Sequence, residues 1–413
     1  MKKIFFSFFS LLLAPCFAFS QGVWTQKADI PQPIPRYGAV GFAIGTKGYV
    51  GAMSDFGGGN YDFWEWNQAA NTWTQKNSFT NATRTYPVSF TIGNKGYTGT
   101  GTDPSPPLVN DFWEYDPIND IWSQKANFPG TPRVSSSGFS IDSLGYLGLG
   151  IDSGGLYTTD FWQYSPATNS WKSLANFPGC PRFRSLGVSI AGKGYIFFGQ
   201  DTCTFGSLNS EVWKYDPISD SWSQKANLPA QARYMPSGFA IGDTGYIGTG
   251  YTGSVPLAAK DFWKYLPSTD TWVQMADFGG GYRSAAVGFS IGNYGYISTG
   301  DDGSTGTWDL WEFSPGPVSV NEIEHTIESR IFPNPFVENA ILEIFNLKNV
   351  QIEKGEIKIF SSDGKDVTNI FFIKQKNKYE FIIENKSSCV GIFFYKVKTS
   401  GNYTINGKFI TRN

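Results

Sequence analysis

Five aspartates recur in register along this chain, and they are the first residues to question for chemistry. Asp55, Asp103, Asp152, Asp201 and Asp302 each follow a Gly-Tyr pair at the same distance, and Thr252 takes that place in one further copy. Carboxylates gathered at one end of a symmetric molecule could hold a cation or hydrogen-bond a sugar. Each of them, however, has an arginine upstream at a matching distance: Arg36, Arg84, Arg133, Arg182 and Arg283. Folding the intervening residues into a hairpin brings Arg36 to Asp55, Arg84 to Asp103, Arg133 to Asp152, Arg182 to Asp201 and Arg283 to Asp302. The expectation is a set of structural ion pairs that hold repeats together. An exposed pair contributes about 0–1 kcal/mol, and more when it is bidentate and partly buried.

Other reactive side chains are few. His325 is the one histidine of the chain, which removes most metal and acid–base chemistry. No catalytic set, metal or cofactor is assigned. Cys180 and Cys203 stand in the same hairpin relation as the arginines and aspartates, so an oxidising compartment would join them. Such a disulfide stabilises by roughly 3 kcal/mol in the chain-entropy view. The net charge of -2 and the absence of basic tracts argue against nucleic acid. Binding is better sought where the repeats differ. Two positions after each repeat arginine come Gly38, Tyr86, Ser135, Arg184, Met235 and Ala285. Tyr86, Arg184 and Met235 are unlike their counterparts and are the expected ligand-binding residues, together with variable loops such as residues 56–61 and 103–110.

These residues are positioned by a repeat of about fifty residues. Trp24, Trp73, Trp122, Trp171, Trp222 and Trp272 mark its phase, and Arg233 completes the arginine series. Each copy has a Gly-Tyr pair, as at Gly96-Tyr97, and a second tryptophan, as at Trp113. Each reads as four short strands, a to d. In the second copy these are residues 87–92, 97–101, 111–115 and 122–125, with a Pro/Asn/Asp turn at residues 116–120 between c and d. In strand a, Phe42, Phe90, Phe139, Val188, Phe239 and Phe289 alternate with small residues, so one face is buried and the other lets backbone approach closely. A four-stranded sheet cannot hide both aromatic faces alone; stacking it on neighbours buries each aromatic at roughly 1.5–3 kcal/mol. Radial stacking closes a propeller. The chain starts on a strand d at Trp24 and the repeats end on a strand c at Trp311, so the first strand should complete the last blade.

The repeat resembles the kelch family of propellers over about residues 22–317, on the arginine opening strand a, the Gly-Tyr of strand b, residues 113–117 of the strand c type Trp-Glu-Tyr-Asp-Pro, and the strand d tryptophan. Kelch strand b usually ends in Gly-Gly, whereas here it ends Thr100-Gly101, Leu149-Gly150, Phe198-Gly199, Thr249-Gly250 and Thr299-Gly300. The fold class is therefore all-β, a six-bladed β-propeller of four-stranded blades over residues 21–317. A linker at residues 318–330 leads to a small β-sandwich at residues 331–413. That last segment resembles the C-terminal sorting domain of the type IX secretion system of Bacteroidota. The residues that carry the likeness are Pro333-Asn334-Pro335, the turn Asp363-Gly364-Lys365, Gly391-Ile392-Phe393-Phe394 and Gly407-Lys408-Phe409-Ile410.

Residues 1–20 read as a signal peptide. Lys2 and Lys3 precede an apolar run that is too short to span a bilayer, with small residues near Gln21. No other stretch reads as transmembrane. The expectation is a protein secreted or attached to the outer cell surface, carried by the type IX machinery through its C-terminal domain. It would act as a binding module for a glycan or a protein. Some kelch propellers resemble galactose oxidase, whose copper site uses histidines; this propeller has none. A carbohydrate-active enzyme of sugar-mutarotase type, or a purely structural surface protein, are the other readings.

Overall fold

The structure is a computed structural model that describes residues 21–32, 36–51, 62–78, 84–103, 107–203, 207–304, 306–316, 329–344, 357–362, 365–375, 380–385, 389–398 and 404–412. The signal segment, Asp55, residues 56–61, His325 and the turn at Asp363-Gly364 lie outside them. Two compact units divide the chain, Met1–Pro317 and Val318–Asn413.

Among the described residues of the first unit, the repeats form six four-stranded antiparallel sheets in the order a, b, c, d. In the second blade these strands are Val88–Ile92, Lys95–Gly99, Phe112–Asp116 and Ile121–Gln124. Strand a alternates buried and half-buried residues, as the side-chain period of a strand requires. In five blades the c–d turn puts Asn71, Asp120, Asn169, Asp220 or Asp270 at positive φ, a conformation these short polar side chains tolerate. The sixth sheet takes strands a to c from Val287–Ile291, Tyr294–Ser298 and Leu310–Ser314, and strand d from the chain start, Val23–Gln26. Trp24 is paired there with Phe313, and Gln26 with Trp311.

Each blade interface is an aromatic cluster. Phe42, Ile44, Tyr49 and Phe63 of the first blade pack against Trp113, Tyr115 and Trp122 of the second, with Phe63 edge-on to Tyr115 at 4.9 Å. The glycine of the Gly-Tyr pair is required by this stacking. A Cβ on Gly96 would lie 2.3 Å from the Phe42 ring, and one on Gly194 would lie 2.0 Å from Phe139. Strand b of one blade thus gives up a side chain to admit the strand a phenylalanine of the blade before it.

Two circles of hydrogen bonds run around the unit. At the axis the chain closes on itself through backbone alone. The Gly38 N–H donates to Ala285 C=O, Ala285 to Met235, Met235 to Arg184, Arg184 to Ser135, Ser135 to Tyr86, and Tyr86 back to Gly38, at 2.8–3.2 Å. All six residues have φ between 51° and 61°. At the rim, the indole N–H groups of Trp73, Trp122, Trp171, Trp222 and Trp272 donate to the carbonyls of Ala28, Asn77, Ala126, Ala175 and Ala226 in the preceding blade. Trp24 closes the belt onto Ala276.

The second unit packs two sheets face to face. One comprises Ser329–Phe332, Asn339–Ile344, Glu380–Asn385 and Phe371–Gln375; the other comprises Ile357–Ser361, Gly391–Lys398 and Thr404–Thr411. Leu342, Ile383, Ile359, Val397 and Phe409 lie in the core between them. Among the described residues no helix is long and apolar enough to cross a membrane.

Candidate functional site at the axial mouth

The d–a and b–c loops emerge on one side of the propeller, around the axial ring. The repeat arginines lie just behind that ring and are buried at 0–2% exposure. Their partners differ from the expected ones. Arg84 binds Asp111 through both amino groups at 2.5 and 2.8 Å, and Arg133 binds Asp160 at 2.5 and 2.9 Å. Arg233 and Asp261 pair at 2.6 and 3.0 Å, and Arg283 and Asp309 at 2.8 and 2.9 Å. Arg182 reaches Glu211 at 2.5 Å and Asn209 at 3.1 Å, and Arg36 reaches Asp62. Each acid also accepts the indole N–H of the tryptophan two residues on, as Asp160 does from Trp162 at 2.9 Å.

The pairs proposed from the hairpin are thus corrected. The backbone register does set Arg133 opposite Asp152 and Arg182 opposite Asp201. A long arginine overreaches the residue directly opposite it and crosses the end of strand b to the start of strand c. Asp103 is a secondary contact of Arg84 at 3.9 Å. Asp152 caps its own loop through the Gly154 and Leu156 N–H groups, Asp302 accepts from Ser304, and Asp201 accepts from Cys203 and Asn209. Asp55, the expected partner of Arg36, lies outside the described residues. Arg233 decides the matter. Its hairpin counterpart is Thr252, yet it holds an acid like the rest.

The same arginines hold the end of strand b, where the chain departs from Gly-Gly. Thr100, Leu149, Phe198, Thr249 and Thr299 sit at φ of 57–62°, where glycine is the easy choice. Arginine amino groups hold the carbonyls of all five at 2.7–3.3 Å. Burial pushes the Asp160 carboxyl up, but the Arg133 hydrogen bonds and charge outweigh it, so the group titrates below its usual range. Asp261 and Glu211 are held down in the same way by Arg233 and Arg182.

Cys180 and Cys203 form a disulfide with Cα atoms 5.9 Å apart. It joins the loop that enters Arg182, Phe183 and Arg184 to the loop that leaves strand b of the same blade.

The symmetry-breaking residues share one cavity of about 140 Å³, lined by Tyr86, Arg184, Met235, Ser135, Gly38 and Ala285 with their neighbours. The axial ring therefore brings Tyr86, Arg184 and Met235 together. The Arg184 guanidinium lies 4.8 Å from the Phe183 ring centroid, 5.1 Å from Tyr234 and 5.8 Å from Tyr86. Burial pushes the Tyr86 phenol up to about 12; Arg184 opposes the rise, while Tyr37 and the Asp301 carboxylate add to it. Tyr86 is therefore a neutral hydroxyl donor at physiological pH.

Three aromatic pairs surround the mouth: Tyr37 with Tyr86 at 6.2 Å, Tyr157 with Phe183 at 4.7 Å, and Tyr234 with Tyr251 at 4.9 Å. Tyr37, Phe183, Tyr234 and Asp301 were not singled out from the sequence. The signal for the first three was present, because the residue after the repeat arginine runs Tyr37, Thr85, Val134, Phe183, Tyr234, Ser284. Among the described residues no His/Cys/Asp/Glu cluster could hold a metal ion.

Four-stranded blades joined by an axial hydrogen-bond ring define an all-β protein of the propeller class. Among solved structures, the chain is similar to one titled "Structure of YjhT", with a TM-score of 0.59 and 14% identity over 70% of this chain and 97% of that one. At that identity the likeness speaks for the fold alone. No family model and no curated protein matches the chain.

Proposed function

We propose that the propeller is a binding module of an exported protein, and that its axial mouth takes a glycan or a side chain of a protein partner. One observation carries this reading. Six copies of one unit spend their arginines and acids on equivalent internal contacts, while Tyr86, Arg184 and Met235 depart from the pattern and line one cavity. Aromatic faces with a few convergent polar groups are the usual walls of a small-ligand site, and Tyr86 and Tyr234 offer both a ring and a hydroxyl. The leader at residues 1–20 and the sorting-domain likeness of the second unit support export, with release or attachment at the outer cell surface.

The test is a glycan and surface-protein binding screen with the mature chain, repeated with Tyr86→Ala. A partner lost in that variant supports the reading; a partner bound equally well by the variant moves the site elsewhere. A sugar-mutarotase activity is the second reading, favoured by one feature. The Asp301 carboxylate, which accepts the Gly303 N–H, is near enough to the neutral Tyr86 phenol to raise its pKa, and ring opening of a sugar needs a base and an acid. Polarimetry of fresh anomers with wild type and Asp301→Asn decides it: no acceleration by the wild type ends that reading.

A further inference from the structure

Arg184 differs from the repeat arginines in one decisive respect. Each of those six has a carboxylate at hydrogen-bonding distance. Arg184 has no carboxylate partner among the described residues. Its surroundings are the rings of Phe183, Tyr234 and Tyr86, with the Tyr234 hydroxyl as a neutral hydrogen-bond partner. Rings attract a guanidinium, but they do not replace the water or the anion that a charge loses on burial. Nor does the fold need a cation here. The ring bonds at this place are main-chain, and Gly38, Ser135, Met235 and Ala285 fill the equivalent positions without charge. A half-buried cation that the fold does not use, at the wall of a cavity large enough for a few non-hydrogen atoms, is a site awaiting an acceptor.

We infer that the axial mouth binds an oxyanion, a carboxylate or a phosphate group of the ligand, with the Arg184 guanidinium as its charge partner. This rests on the binding-module reading and specifies the chemistry of the same site. Arginine presents a planar fork that fits both groups in a bidentate manner. The neighbouring phenols supply neutral donors that add hydrogen bonds without adding charge. The three rings, 4.8–5.8 Å from the guanidinium carbon, give the site apolar walls beside the charge. The ligand's oxyanion would meet the guanidinium, with its apolar or sugar portion against the rings.

The experiment uses the mature chain and three probes: D-glucuronate, D-glucose and inorganic phosphate. Binding is read by calorimetry and by the rise in thermal midpoint, at fixed ionic strength with sodium chloride as the control. Glucuronate or phosphate should raise the midpoint, and glucose at equal concentration should not. Arg184→Met keeps a side chain that the ring already accepts at the φ 52° of Met235. It should be folded, no less heat-stable than wild type without ligand, and weaker for the anion by at least about tenfold. Arg184→Lys, which retains charge without the fork, should fall between.

A response to phosphate alone points to a phosphorylated ligand and a response to glucuronate alone to a carboxylated one; either supports the inference. An anion bound as tightly by Arg184→Met overturns it. So does stabilisation by glucose with none by the anions, an outcome that leaves the binding-module reading standing. If no probe binds and Arg184→Met is less heat-stable than wild type, Arg184 is a structural residue and the inference falls.

Discussion

Removing the acid from one arginine clasp should damage the propeller far more than a surface ion pair would. Take Asp160→Ala in the third blade. Arg133 is 1% exposed and loses two hydrogen bonds, at 2.5 and 2.9 Å, while keeping only neutral acceptors, the Thr158 and Thr131 hydroxyls and the Leu149 and Thr131 carbonyls. An uncompensated buried charge costs about 3–5 kcal/mol. In a unit of this size that is about 5–8 °C of thermal midpoint. Trp162 also loses its acceptor at 2.9 Å. The decisive assay is a double-mutant cycle by chemical denaturation with Asp160→Ala, Arg133→Met and both. The double variant should recover part of the loss, because it no longer buries a lone cation. A solvent-screened pair would instead cost under about 1 kcal/mol and vanish in molar salt. A small effect that disappears with salt, or a double variant no better than the sum of the singles, would refute the clasp as a buried pair.

Acid should unfold the propeller through these same groups. Asp160, Asp261 and Glu211 have depressed folded pKa values, so their contribution is full above the unfolded carboxyl range near 4 and is lost as pH falls through the lower folded values; a pH series of midpoints that stayed flat below 4 would contradict this. Gly96→Ala should overpack the first interface, since its Cβ would meet Phe42 at 2.3 Å, costing about 1–3 kcal/mol and being partly relieved by Phe42→Leu; equal stability of Gly96→Ala and wild type would deny the close approach. Reducing Cys180–Cys203 should lower stability by roughly 3 kcal/mol, with hydrogen exchange rising first in residues 180–184 and 200–203; unchanged exchange there would mean the bridge ties nothing down. Deleting residues 21–27 should open the sixth blade, since Trp24 packs on Phe262, Phe278 and Phe313, and limited proteolysis should then cut near Trp311; resistance equal to wild type would remove the first strand from the closure.

The fold was legible because its determinants are periodic. A tryptophan, an arginine and a Gly-Tyr pair that keep phase through the chain can only be copies of one unit, and the alternation of the strand a phenylalanines with small residues says which face is buried. The paired start and end of the repeats also told where Trp24 belongs. The arginine partners were misjudged because a hairpin drawn in sequence fixes which backbones face each other, not how far a side chain reaches. The correct acid was nonetheless written in every copy, as Asp62-Phe63-Trp64, Asp111-Phe112-Trp113, Asp160-Phe161-Trp162, Glu211-Val212-Trp213, Asp261-Phe262-Trp263 and Asp309-Leu310-Trp311. Only the indole bond shared by that acid explains why it stands two residues before the tryptophan. The grouping of Tyr86, Arg184 and Met235 was visible as broken symmetry, but the rings around Arg184 depend on loop paths that no periodicity encodes.

The axial ring explains how so symmetric a molecule can carry an asymmetric site. Main-chain groups make all six of its bonds, so they impose a backbone conformation and nothing on the side chain. The six residues are Gly, Tyr, Ser, Arg, Met and Ala, and five of them hold a left-handed conformation that glycine adopts more easily. That strain costs something at each position, and closing the circle offsets it, because every peptide in the ring is both donor and acceptor for its neighbours. The mouth is thereby released from the repeat. Fold closure and cavity lining thus fall to different atoms of the same residues, the peptide holding the blades and the side chain facing the cavity. A change from Arg184 to another residue that tolerates this φ should alter the wall of the cavity without touching the main-chain bonds that keep the propeller closed.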